Sequence, residues 1–77
     1  MYEEIAKQIA SATHDGNKTA MFHLQVLKNA HHLAGVEPLE FCRQVGAKDS
    51  YVTEFHKMIK VAKLMEQHGI KFTELNG

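Results

Sequence analysis

The sequence has no tryptophan, one proline, one cysteine and no net charge. Each shortage excludes something. With Cys42 alone, no disulfide can form within the chain, so a small scaffold must be held by tight packing, a metal or a partner. No run is apolar over membrane length and no apolar leader is visible, so the expected setting is cytoplasmic, away from any membrane. Nine acidic residues balance nine basic ones, with six histidines beside them. A small dedicated nucleic-acid binder is more often basic, so DNA contact here would have to rest on a local patch. No β-branched run alternates as a strand does, and no repeat or low-complexity segment interrupts the chain.

What is present is helical periodicity, punctuated by glycine and proline. The 77 residues make one domain with a modest core. Apolar residues at spacings of three and four predict a first helix over residues 2–12, with Tyr2, Ile5, Ala6 and Ile9 on its inner face. Residues 13–18, THDGNK, read as a loop. A second helix is expected over residues 19–34, with Phe22, Val26, Leu27, Ala30, Leu33 and Ala34 as its stripe. Gly35 suits the left-handed position after it, and Pro38 the first turn of a third helix over residues 38–45. A fourth helix is expected over residues 50–68, capped by Asp49 or Ser50 and ended by Gly69. Its core stripe is Val52, Phe55, Ile59 and Ala62; Ile70 and Phe72 are placed to fold back, and residues 74–77 to fray.

The third and fourth helices carry the most specific signal. Two helices that cross steeply over a short turn need a small residue at the crossing and a residue that tolerates positive φ in the turn. The second helix must also turn two apolar residues, three apart, into the corner. Cys42 is the small residue, four before Gly46, and Val52 and Phe55 follow that glycine by six and nine. Phe41, Val45 and Ala47 complete the joint. This spacing resembles the helix-turn-helix pattern of bacterial and phage regulators over about twenty residues, and the whole chain looks like a small HTH-like domain. The resemblance implies an all-α fold, four helices in a single domain with a helix-turn-helix corner, and duplex DNA as partner.

The resemblance also implies which residues face the nucleic acid. Lys48, Asp49, Ser50, Tyr51, Thr53, Glu54 and Lys57 occupy positions that approach bases or phosphates, with Arg43 and Gln44 near the backbone. Lys57 and Lys60 form a basic strip on the side of the fourth helix away from its core stripe, bordered by His56 and Lys63. Two departures stand against the pattern. Asp49 and Glu54 repel phosphate, and the fourth helix has no arginine, the commonest base reader.

Met21 and Leu24 on the second helix, and Val61 and Leu64 on the fourth, lie off their core stripes. Two such clusters in so small a protein suggest a partner surface, and a homodimer would set two recognition helices on a palindromic site.

Other chemistry finds little support. Metal ligands on one helix want histidines three or four apart, and no histidine pair has that spacing. His31 and His32 are adjacent and point roughly 100° apart. His23 falls within the second helix's apolar stripe and reads as a hydrogen-bonded core residue. Cys42 reads as a packed, inert thiol rather than a nucleophile. No nucleophile elbow, paired catalytic carboxylates or phosphate-cradling glycine loop occurs, so neither catalysis nor a cofactor is expected. Two functions remain open: a small DNA-binding regulator acting as a dimer, and a protein-interaction module in which the corner is only scaffold. An exposed, unobstructed start to the fourth helix favours the first; a covered or acidic one favours the second.

Overall fold

The computed structural model describes residues 1–72. It is all-helical over those residues: α1 (Tyr2–His14), α2 (Lys18–Lys28), α3 (Ala30–Leu33), α4 (Pro38–Gln44) and α5 (Tyr51–Gln67). The expected fraying of 74–77 lies outside the described residues.

α1 starts with Glu3 and Glu4 in its first turn, where carboxylates oppose the helix dipole, and it buries Ile5, Ile9 and Ala12. The helix expected over residues 19–34 is divided at Asn29, whose backbone leaves helical geometry at φ −107° and ψ 16°. The cause is local. The Asn29 side-chain amide donates to the Gln25 carbonyl at 2.8 Å, the same carbonyl that takes its backbone N–H at 3.1 Å. Asparagine competes for backbone partners in this way, which is why it interrupts helices. Ala34, expected in the buried stripe, is exposed, and Gln25, which was not expected there, is buried.

Gly35 does not take the left-handed conformation expected of it; among the described residues positive φ occurs only at Gly16, Gly46 and Gly69. The short α3 closes instead through a turn, Val36 N–H to Leu33 carbonyl at 3.2 Å, which needs no positive φ. Glu37 then caps α4. Its carboxylate accepts from the backbone N–H groups of Leu39 at 3.2 Å and Glu40 at 2.7 Å, with Pro38 in the first turn.

The corner between α4 and α5 is built as its spacing predicts. Gly46 sits at φ 78°, so the Ala47 N–H reaches back to the Cys42 carbonyl at 2.8 Å and closes the helix end. Cys42, Val45 and Ala47 are buried, as is Phe55 from α5, and Val52 packs half-buried against them. Neither Asp49 nor Ser50 caps α5 through its side chain. The Asp49 carboxylate is turned to Arg43, and the helix starts on backbone turns from Tyr51 N–H to Lys48 and Val52 N–H to Asp49.

Phe41 is the hub of the core. Its ring meets Tyr2 at 5.4 Å, Phe55 at 5.3 Å and Phe22 at 5.9 Å, centroid to centroid, so α1, α2, α4 and α5 converge on it. Edge and tilted ring pairs of this kind add about 0.5–1.5 kcal/mol each beyond the area they bury.

Candidate nucleic-acid interface

α2 and α5 lie side by side and run in the same direction. Thr19 Oγ1 is 2.7 Å from the Tyr51 hydroxyl, and one turn further on His23 Nε2 is 2.6 Å from Glu54 Oε1. The start of α5 is therefore braced by the start of α2. The Tyr51 ring packs edge-on against Phe22 at 5.0 Å, and Lys18 Nζ lies 5.8 Å from its centroid while donating to the Gly46 carbonyl at 3.4 Å. Lys18 and Thr19 thus join the site, and no local pattern marks them, because their partners lie about thirty residues away.

The two carboxylates that would repel phosphate are both engaged. Arg43 donates to Asp49 through Nε at 3.3 Å and through an Nη at 3.1 Å, a two-pronged pair. That hydrogen bond holds the Asp49 carboxyl below its ordinary range, with the guanidinium charge adding to it, and raises the guanidinium in return. Glu54 accepts from His23 on one oxygen and from Lys57 on the other at 3.3 Å. Its carboxyl is lowered first by the His23 hydrogen bond, which burial opposes, and is lowered further by Lys57.

The residues singled out from the sequence separate into two groups. Tyr51 and Glu54 are half-buried and serve the α2–α5 seam. Arg43 and Gln44 are exposed on α4, one paired with Asp49 and the other donating to Glu40 at 2.9 Å. Lys48, Ser50, Thr53, Lys57 and Lys60 are exposed at or beyond the turn, and the last three recur on the face of α5 opposite Phe55. Of the four residues expected at a partner surface, Met21 packs against the core and Val61 is half-buried, while Leu24 and Leu64 are exposed.

His23 is hydrogen-bonded, as expected of a histidine within an apolar stripe, but it is half-buried at the seam rather than enclosed in the core. Burial, aided by Asp49 and Glu37, pushes the Cys42 thiol up, away from the thiolate a nucleophile needs. Among the described residues no three histidine, cysteine or acidic side chains converge as metal ligands would, and no helix is long and apolar enough to cross a membrane.

The model of one protein family, described as an HTH-like domain, matches residues 1–68. No curated protein and no solved structure matches the chain.

Proposed function

The chain belongs to the HTH-like domain family, and from the exposed face of α5 we propose that it is a small, non-enzymatic, transcription-regulator-like DNA-binding protein. The observation that carries this reading is the disposition of charge at the start of α5. Thr53, Lys57 and Lys60 are exposed on one face, with Lys48 and Ser50 leading into it. The neighbouring carboxylates of Asp49 and Glu54 are held by Arg43, His23 and Lys57. A locally positive, unobstructed helix start is what insertion into a major groove requires, even in a chain neutral overall. In this reading Ser50 and Thr53 approach base edges. Lys48, Lys57 and Lys60 hold phosphates, and α4 crosses the backbone with Arg43 and Gln44 beside it.

α5 runs 17 residues, so its second half extends past any groove contact. Leu64 continues the outward face there and is 54% exposed, and Leu24 is 41% exposed on α2. These two residues, with Met21 and Val61 at their margin, are the proposed homodimer contact that spaces two recognition helices over half-sites roughly 34 Å apart.

The test is an anisotropy titration against labelled pooled duplex DNA at about 50 and 200 mM salt, beside a sizing measurement. The expected result is binding that weakens steeply with salt. An absence of binding at the lower salt removes the DNA reading, and a monomer at binding concentrations removes the dimer.

A further inference from the structure

The two ends of α5 are furnished differently. At the far end Ile70 and Phe72, expected to fold back onto the core, are 55% and 46% exposed. At the start, α2 brings up a cation from outside the helix-turn-helix corner. Lys18 is half-buried, with its Nζ 5.8 Å from the centre of the Tyr51 ring and 3.4 Å from the Gly46 carbonyl oxygen. A lysine in such a setting covers its stem and keeps its charged head in water.

Lys18 differs from Arg43 and Lys57 in what it meets. Arg43 is committed to Asp49, and Lys57 shares Glu54 with His23. Lys18 is in no ion pair among the described residues; its partners are a neutral carbonyl and a ring face. The bond to the carbonyl is long, and an ammonium has three N–H donors, so a further acceptor is taken without disturbing what is there.

The place of this charge around α5 gives it a use. α2 and α5 run in the same direction, joined at Thr19 and Tyr51 and one turn on at His23 and Glu54, so their first turns lie at one level. At 3.6 residues per turn, Lys57, Lys60 and Lys63 all lie roughly 120° or more around α5 from Tyr51. Lys18, seated at Tyr51, therefore stands on a flank of the helix start where α5 has no lysine or arginine of its own. A helix with its side chains is about 10–12 Å across and the major groove about 12 Å wide, so an inserted helix has a phosphate strand against each flank. The basic strip of α5 serves one of those strands.

We propose that Lys18 holds the phosphate backbone of the other strand, opposite the one taken by Lys57 and Lys60, so that the start of α5 is gripped in the groove from both sides. The proposal rests on the DNA-binding reading above and adds α2 to the interface. Its ligand is a phosphodiester, so the contact contributes affinity and register, not base choice.

The test is the salt dependence of DNA affinity, by anisotropy on labelled pooled duplex between about 50 and 200 mM salt. Four chains are compared with the parent: Lys18→Met, Lys18→Arg, Lys57→Ala with Lys60→Ala, and Lys18→Met added to that pair. Methionine keeps an unbranched apolar stem for the Tyr51 ring and removes the charge. Lys18→Met is expected to flatten the dependence of log K on log salt by about 0.9, and the triple variant by about 2.7, since the phosphates are separate. Lys18→Arg is expected to keep the parent slope. Ethylation interference on each strand of a duplex selected from the pool is expected to lose sites, within a half-site, on one strand in Lys18→Met and on the other in the lysine pair. A parent slope in Lys18→Met, a triple variant no flatter than the pair, or loss of sites on the same strand overturns the proposal and leaves the DNA reading standing. Urea midpoints on the same chains expose a purely structural lysine, which would lower the midpoint in Lys18→Met without changing the slope. A parent that binds no duplex at the lower salt overturns the proposal together with that reading.

Discussion

His23 Nε2 lies 2.6 Å from Glu54 Oε1, and this contact between residues 31 apart joins α5 to α2. It draws one Glu54 oxygen into the seam between the helices, while the other accepts from the exposed Lys57 at 3.3 Å. The pairing also resolves what the sequence left as a contradiction, an acid on the helix that should face phosphate.

Acid should loosen this arrangement. The Glu54 and Asp49 carboxyls are both lowered in the folded chain, the first by His23 and the second by Arg43. A lowered carboxyl stabilises the fold above its unfolded pKa, about 4.3 for Glu and 3.9 for Asp, and that stability is lost as pH falls through the folded value. Urea midpoints should therefore drop as pH falls from about 5 to below 4. In Glu54→Gln with Asp49→Asn the drop over that window should be smaller than in the parent; equal acid sensitivity would show that neither pair is formed.

Gly46 offers a separate test of the corner. A Cβ at this position would meet no atom within 4 Å, so the cost of Gly46→Ala comes from the backbone at φ 78° alone. That cost is about 1 kcal/mol. Gly46→Asn should be milder, since asparagine visits this conformation more readily. Chemical denaturation distinguishes the two, and a neutral Gly46→Ala would mean that the turn can relax out of the left-handed region.

Cys42 should be silent while the chain is folded. It has no exposed surface, and its thiol is raised above the ordinary value by burial first and the nearby carboxylates second. Alkylation by iodoacetamide at pH about 8 should be slow in buffer and fast in urea. Cys42→Leu should lower stability by about 1–3 kcal/mol, because the close crossing of α4 and α5 has no room for added methyl groups. Rapid native labelling would place the thiol outside the joint.

For the proposed DNA contact, Lys57→Ala with Lys60→Ala should lower affinity and flatten the dependence of log K on log salt by about 1.8, or 0.9 for each phosphate contact removed. Circular dichroism should show the helices intact, as both side chains are exposed. An unchanged slope would remove these two lysines from the interface.

The parts of this architecture legible in the sequence are those written in local spacing. Ile5 and Ile9 on α1, Phe22 and Val26 on α2, and Cys42, Gly46 and Phe55 at the corner all sit as their periodicity implies. The misreadings have equally specific causes. Asn29 looked like an ordinary helical position because its effect depends on a side-chain bond to Gln25. Asp49 looked like a cap because the competing Arg43 sits on the other helix of the corner. Lys18 and Thr19 carried no signal at all, since they matter only beside Tyr51.

By itself, then, the order of residues determined a helical chain bent at Gly46 around Cys42, because helix periodicity and the tolerance for positive φ are properties of short segments. The tertiary structure alone decided that His23 meets Glu54 and that Lys18 and Thr19 brace Tyr51. Those outcomes arise from contacts between side chains on different helices, and no spacing along one helix encodes them.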